Sequence, residues 1–316
     1  MPALAPGLID VHHHILPKVY TETLAERLGT QGLFASAEWT AERSIESMDR
    51  NGIGVSLTSI SSPGFWFGDT RETIKLVRAC NEFAANLRRD HPTRFGMFAH
   101  LPLPEIDASL HEIEFAFDVL KADGVALVTH YDEEYPGEQK FRPVFDELHR
   151  RKAVVFFHPI LPQYGTFPKG YPPPTLEFPF ETTRAIASLL YGGTLAQTHN
   201  VSYIFPHAGG ALPYLAERIA RMAMKPELKA KVPNGVLPEF ERLYFDVALS
   251  ANKLAFGSLL QLIKPANAVF GSDYPHAGEP TMAATVKGLG NLGLPDTDVE
   301  AIRRTNALRL FPRFQA

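Results

Sequence analysis

The sequence predicts an α/β protein with a (β/α)8 barrel, the TIM-barrel architecture, and three observations support that class. Eight short apolar runs alternate with helical patterns from one end of the chain to the other. The run from Ala153 to Phe157 is unbroken and not alternating, as a strand that is covered on both faces of a parallel sheet requires. Polar residues collect directly after several of the runs, which is typical of a barrel whose site lies at the carboxyl ends of its strands.

The predicted elements follow one another as strand and helix. The strands are residues 8–11, 55–60, 95–99, 125–128, 153–157, 201–205, 243–247 and 268–270. After the second strand, an apolar stripe at helical spacing runs from Ile74 to Leu87, and Asp69 is placed to cap that helix. Asp107 similarly precedes a further apolar stripe as a candidate cap, and Gly124 follows that stripe as a candidate helix stop. Eight such strand–helix repeats predict one barrel domain over residues 1–316.

An open doubly wound sheet is the alternative arrangement of the same elements. We prefer the barrel because no G-x-G-x-x-G motif follows the first strand. One connection is unusual: residues 159–179, after the fifth strand, are rich in proline and show no helical or strand pattern. Their aromatic residues Tyr164, Phe167, Tyr171 and Phe178 favour an ordered Pro-rich lid loop, and a proline-stiffened surface loop is the alternative.

Composition excludes several classes of function. The chain has 316 residues, 45% of them hydrophobic, and a formal net charge of −4 without a dense run of Lys or Arg, so nucleic acid is not an expected partner. Cys80 is the only cysteine, which excludes an intramolecular disulfide or a thiolate metal site and fits a reducing cytoplasm. No secretory signal and no apolar run near the ~20 residues of a membrane span are evident.

Histidines occupy alternate positions where the first strand ends. His12 and His14 point to one side of an extended chain, and His13 points to the other. Two imidazoles that converge at the mouth of a barrel can share one metal ion. The pattern is weak by itself, because a strand-end histidine is more often a structural residue, and we expect that structural role for His13.

Further polar residues follow the fifth, sixth and eighth strands, namely His158, His207 and Asp273. Strand ends of a barrel face a common pocket, so these side chains can meet despite their distance along the chain. A carboxylate buried beside imidazoles is unfavourable unless it binds or pairs with a cation. The residues therefore predict one metal ion bound by the following side chains: His12, His14, His158 and Asp273. The fourth strand and His130 after it provide no lysine that could bridge a second ion as a carbamate, so one ion is expected.

Four motifs carry this chemistry: Asp10-x-His12-x-His14, His158, His207-Ala208-Gly209-Gly210 and Gly271-Ser272-Asp273-Tyr274-Pro275. Together they resemble the amidohydrolase superfamily, and within it the branch named for aminocarboxymuconate-semialdehyde decarboxylase. Segments such as Ser61-Ser62-Pro63-Gly64 and Thr182-Thr183-Arg184 are most similar to 6-methylsalicylate decarboxylases. The resemblance extends over nearly the whole chain.

The resemblance implies that His207 is the acid/base residue beside the ion. Asp273, if it shifts from the ion, is the alternative proton carrier. It implies Zn²⁺, or alternatively Mn²⁺, and no organic cofactor. It also implies that Arg218 reaches a carboxylate in the neighbouring subunit, and hence a homodimer or larger homo-oligomer. Arg221 lies nearby, so a solvated helix face is an equal alternative for Arg218.

Other residues are weaker candidates for substrate contacts. Phe65 and Trp66 are placed to stack on an aromatic ring or, equally, to pack a loop. Glu181 and Asp246 are candidate hydrogen-bond partners of the histidines, with a helix start and a strand-end cap as the alternatives. His276 follows Asp273 closely enough to line the pocket.

The resemblance implies metal-dependent, non-oxidative decarboxylation of an ortho-hydroxy aromatic acid, with 6-methylsalicylate, m-cresol and CO₂ as the expected substrate and products. Metal-dependent hydrolysis of an amide or lactone would use the same residues and stays open. A metal-stabilised binding protein without turnover is the alternative from another class.

Overall fold

The barrel predicted from the sequence is present. The computed structural model describes residues 7–29, 39–163 and 167–315. Eight parallel strands lie side by side in chain order. They are β1 Leu8–His14, β2 Ile53–Ser59, β3 Phe95–His100, β4 Gly124–Val128, β5 Val154–His158, β6 Ser202–Phe205, β7 Tyr244–Asp246 and β8 Ala268–Val269.

Backbone hydrogen bonds between β1 and the segment that follows β8 close the barrel. Val11 N–H donates to Phe270 O at 3.0 Å, and His14 N–H donates to Tyr274 O at 2.7 Å. Between them, Asp273 N–H donates to His12 O at 2.8 Å. Closure brings Asp273, from the last strand end, against the histidines of the first.

Helices surround the barrel. The α-helices of the described residues are α1 Lys18–Leu28, α2 Ala41–Arg50, α3 Thr70–Asp90, α4 Ile106–Glu114, α5 Arg142–Arg150, α6 Pro174–Gly192, α7 Thr194–Gln197, α8 Leu212–Ala220, α9 Pro226–Lys229, α10 Val236–Glu241, α11 Lys253–Leu259, α12 Gly278–Leu289, α13 Asp296–Glu300 and α14 Asn306–Leu310. None of them is long and apolar enough to cross a bilayer.

The three predicted helix boundaries differ in their outcomes. Asp69 caps α3 as predicted, since its carboxylate accepts from Glu72 N–H at 2.8 Å. Asp107 does not cap α4: it lies inside the first turn, and Glu105 is the capping position. Gly124 does not end that helical region but begins β4. Asp107 favours the positive end of the helix dipole from within the first turn, which explains why it resembles a cap.

The Pro-rich segment after β5 is partly helical, which corrects the predicted absence of helical pattern. Helix α6 begins at Pro174, with Pro173 and Pro174 at its start and Pro179 inside it. Proline is favoured in the first turn, where its missing N–H has no helical partner. Tyr164 lies outside the described residues, and a lid motion of this segment stays a prediction.

A compact apolar cluster fills the barrel, and it comprises Ile9, Val11, Val55, Leu57, Phe98, Ala126, Val154, Phe156, Ile204, Val269, Ala307, Phe311 and Phe314. A larger cluster packs between strands and helices. The pairing of β1 with β2 shifts register between Asp10 and His13, as at a β-bulge. Val11 therefore belongs to the inner cluster while the next residue, His12, also faces inward and lies with its ring 5.0 Å from that of Phe156.

Candidate metal centre and active site

Four side chains from distant parts of the sequence meet at the carboxyl end of the barrel. His12 and His14 lie on β1, His158 ends β5, and Asp273 follows β8. One donor atom from each lies within 4.8 Å of the others, and all four residues are buried. These are the four residues that the sequence predicts as ligands, so the structure brings that set together at one point.

The distances are those of a site built around a cation. Asp273 Oδ1 lies 3.2 Å from His12 Nε2, 3.2 Å from His14 Nε2 and 4.0 Å from His158 Nε2. All four of these atoms are buried without a hydrogen-bond partner in the described part of the chain. Buried polar atoms are rarely left unpaired. Three imidazole nitrogens and one carboxylate oxygen suit a divalent ion such as Zn²⁺, so the residues fit the ion that they are expected to hold.

The backbone of Asp273 is also unusual. Its φ is 61°, in the left-handed region that non-glycine residues adopt at a cost of about 1–3 kcal/mol. Just before it, Gly271 leaves room for close contact: a Cβ there would lie 2.8 Å from His12 Cβ and 2.9 Å from Asp246 Cγ. The strained turn and the missing side chain together let Asp273 reach the histidines.

Hydrogen bonds orient the ligand histidines. His12 Nδ1–H donates to Asp246 Oδ2 at 2.8 Å, and His14 Nδ1 lies 3.1 Å from Ser59 Oγ. Such contacts fix the imidazole so that Nε2 points toward the ion. Of the two carboxylates that the sequence offers as partners of the ligand histidines, Asp246 makes this contact with His12. Ser59 is a partner of His14 that the sequence does not indicate.

Charge in the site favours a cation. Burial lowers the pKa of His12, but the carboxylates of Asp246 and Asp273 outweigh burial and raise it to about 10. Burial raises the pKa of Asp273, but the charge on His12 and the close approach of the neighbouring imidazoles hold it well below its usual value. Burial lowers the pKa of His14 to about 3. Two ionised carboxylates therefore favour positive charge between them, which a proton or a metal ion supplies.

His207 lies beside this group without belonging to it. Its Nε2 is 3.5 Å from Asp273 Oδ2, and its ring centre is 5.2 Å from that of His12. His207 begins a short 3₁₀ turn after β6. Both His207 and Ala208 have a φ of 55°. The backbone N–H of His207 donates to Asp246 Oδ1 at 3.0 Å, which supports the strained turn. The side chain is thus aimed at the carboxylate that faces the candidate ion.

A cavity of about 750 Å³ opens over the centre. Its size is in the range of small-molecule sites, roughly 300–1,000 Å³. The lining residues are Ser61, Ser62, His158, Pro172, Pro174, Thr175, Phe178, Pro179, His207, Gly210, Leu249, Ser250, Ala255, Asp273, His276, Ala277 and Thr281. No Lys or Arg is among these described residues, so imidazoles and a bound ion are the cationic groups that this chain offers an anionic ligand there.

His276 lies where the sequence predicts, on the wall of the cavity. Its Nε2 is 2.7 Å from Ser61 Oγ, and its ring centre is 5.2 Å from that of His14. Phe178 also lies on the cavity wall, with its ring 5.7 Å from that of His158. The centre is therefore flanked by a polar pair and by an aromatic ring.

Phe65 and Trp66 lie elsewhere. They line a separate cavity of about 40 Å³. Phe65 packs its ring 4.9 Å from that of His100, and Trp66 Nε1–H donates to Asp132 Oδ2 at 2.8 Å. Neither is among the described residues that line the large cavity, so their contact with a substrate stays a prediction.

Glu181 and Arg218 also lie outside the lining set. Glu181 is fully buried on α6, where it accepts hydrogen bonds from Tyr135 Oη–H at 3.0 Å and from Arg184 at 2.6 Å. His130 Nε2 lies 3.5 Å from the same carboxylate. Arg218 is exposed near the end of α8. Glu181 thus joins α6 to the segment after β4, and Arg218 is not among the described residues that line this chain's own cavity.

The chain belongs to the amidohydrolase family, whose model matches residues 9–313. It is 36% identical over 319 residues to a 6-methylsalicylic acid decarboxylase of Aspergillus aculeatus, covering 97% of this chain and 96% of that protein. A 6-methylsalicylic acid decarboxylase of Penicillium expansum is 34% identical over 313 residues, covering 97% of each. A crystal structure of an amidohydrolase II has a TM-score of 0.89 at 30% identity, covering 96% of this chain and 99% of that one.

Proposed function

We propose that this protein is a metal-dependent, non-oxidative decarboxylase that converts 6-methylsalicylate to m-cresol and CO₂. The observation that carries the proposal is the group of three imidazoles and one carboxylate, open to a cavity and flanked by His207. The substrate comes from the relatives named 6-methylsalicylic acid decarboxylase, which are similar over 97% of this chain.

The ion would be held by the side chains of His12, His14, His158 and Asp273. Zn²⁺ suits three imidazoles and a carboxylate, and Mn²⁺ is the alternative. When bound, a divalent ion supplies a Lewis acid that polarises carboxylate and phenolic oxygens and stabilises the charge that develops on them.

His207 would carry the proton. Its Nε2 lies 3.5 Å from Asp273 Oδ2, and both residues line the cavity in which a substrate would bind. His207 delivers a proton to the ring carbon that bears the carboxylate; cleavage of the bond to the carboxylate then releases CO₂ and returns the electron pair to the ring. Asp273 is the alternative proton carrier. Phe178 and the prolines of the wall would exclude water from the flat ring.

The remaining substrate contacts would come from His276 and from Arg218 of a second subunit. Arg218 is exposed, and nearby side chains on α8 and α11 present apolar surface: Tyr214 is 87% exposed and Leu254 89%. Large exposed side chains of this kind favour association. A homodimer would place a guanidinium where the cavity of one chain has none, and sedimentation as a monomer with full activity would contradict this arrangement.

Product analysis tests the proposed reaction. Metal-loaded protein incubated with 6-methylsalicylate in D₂O is expected to give m-cresol that carries one solvent deuteron on the ring, together with CO₂. A panel of other ortho-hydroxybenzoates would define the ring substituents that the cavity accepts. If the panel stays intact while lactones or amides are cleaved, the protein is a hydrolase; if neither class reacts, the proposal is also wrong.

A further inference from the structure

Asp246, at the end of β7, is fully buried and uses both carboxylate oxygens. Oδ2 accepts from His12 Nδ1–H at 2.8 Å. Oδ1 accepts from two backbone groups, His207 N–H at 3.0 Å and Ala248 N–H at 2.9 Å. One side chain thus contacts both a candidate ligand and the backbone of the candidate acid/base residue.

The three ligand histidines are supported unequally. His12 has a carboxylate behind its ring, His14 has the neutral hydroxyl of Ser59, and His158 Nδ1 is buried without a hydrogen-bond partner among the described residues. A carboxylate behind an imidazole fixes its tautomer and makes the opposite nitrogen a stronger donor to a metal. His12 is therefore the ligand whose orientation depends most on one neighbouring group.

We propose that Asp246 is the positioning residue that sets metal affinity through His12 and, through the backbone of His207, the place of the acid/base side chain. The inference rests on the proposed metal site, and it is independent of which substrate the cavity takes. Asp246 contacts both the ring of His12 and the backbone of His207. A displacement of β7 would therefore disturb the candidate metal ligand and the candidate acid/base residue together.

Asp246→Asn tests this role because an amide cannot replace both acceptor oxygens of the carboxylate. A carboxylate accepts on both oxygens, whereas an amide accepts on one and donates from the other. With its oxygen toward the His207 and Ala248 N–H groups, the amide NH₂ faces His12 Nδ1 and forces the proton onto Nε2, the nitrogen that faces the ion. With the amide reversed, its NH₂ faces two N–H donors and both backbone hydrogen bonds are lost. Metal binding is weakened in either orientation.

Glu112→Gln is the matched control. Glu112, on α4 and outside the candidate metal centre, is also a buried carboxylate, and it accepts from Asn81 Nδ2 at 2.8 Å and from Arg78 Nη2 at 2.7 Å. A role that is only structural predicts the same metal affinity for both variants. A role through His12 predicts weaker metal binding in Asp246→Asn alone.

Zn²⁺ affinity of metal-stripped protein, measured by competition with a chromogenic chelator, decides between them. Asp246→Asn is expected to raise the Kd for Zn²⁺ by roughly 10–100-fold, and Glu112→Gln by less than about threefold, with circular dichroism showing that each is folded. Equal Kd values for wild type and Asp246→Asn would overturn the inference. Wild-type protein that binds no Zn²⁺ would instead refute the proposed metal site itself.

A measurement on the wild type keeps the inference testable if Asp246→Asn does not fold. In ¹⁵N-histidine spectra of the Zn²⁺-loaded protein, the Nδ1–H proton of His12 is expected downfield of those of His14 and His158 and slower to exchange, because only His12 donates to a carboxylate. The same shift and exchange rate at all three ligands would contradict the proposed role of Asp246.

Discussion

His100 gives the sharpest prediction for pH dependence outside the metal centre. It ends β3 with only 4% of its surface exposed, and its Nε2 accepts from Ile60 N–H at 2.8 Å. This contact supports the chain just before Ser61, which lines the large cavity. Burial without a compensating charge lowers the pKa of His100 to about 3.

The folded and unfolded chains differ in how they bind a proton at His100, and this difference sets the sign of the change in stability with pH. Below pH 6.5 the unfolded chain binds a proton at this imidazole that the folded chain refuses, so the free energy of unfolding falls as the pH falls toward 3. One pH unit corresponds to about 1.4 kcal/mol. Between pH 7.5 and pH 5.0, His100 is therefore expected to remove about 2 kcal/mol of stability.

Substitution of His100 by Gln isolates this contribution. Gln places an acceptor near the position of Nε2 but cannot take up a proton. The free energy of unfolding is measured with guanidinium on chelator-treated protein at pH 7.5 and pH 5.0. Between these two pH values the wild type is expected to lose about 2 kcal/mol more stability than the variant. His111→Gln removes an exposed imidazole on α4 and is the control. A shift below about 0.5 kcal/mol would refute the reasoning.

His207→Ala is expected to lower kcat for decarboxylation by roughly 10²–10⁴-fold with unchanged metal content, and unchanged turnover would remove its role. Burial raises the pKa of Cys80 to about 12, so its thiol should resist alkylation at pH 8 until the protein is unfolded; rapid labelling of folded protein would contradict this. Gly210→Ala places Cβ 2.1 Å from Pro179 O and should cost at least about 1–3 kcal/mol in chemical unfolding, whereas Gly257→Ala, with open space in α11, should not destabilise.

The strands and the metal-binding group follow from the sequence because each depends on a local signal. The unbroken apolar run of residues 153–157 marks a strand buried on both faces, and polar residues follow several of the runs, where the carboxyl end of a barrel brings them together. Burial of Asp273 beside imidazoles then requires a cation.

Other features depend on tertiary contacts that no local pattern encodes. A strand pattern with a period of two residues correctly places His12 and His14 on one side. It does not predict the bulge in β1 that turns His12 inward beside Val11. The start of α6 at Pro174 was missed because clustered prolines indicate a loop unless the first turn of a helix is considered. The direction of Phe65, toward His100, depends on packing between loops.

Metal content measured together with turnover tests the central claim most directly. Protein treated with a chelator and analysed for metals should lose decarboxylation of 6-methylsalicylate in proportion to the ion removed, and addition of Zn²⁺ or Mn²⁺ should restore it. Chelator-treated protein that contains no detectable divalent metal and still decarboxylates at the full rate would contradict the account.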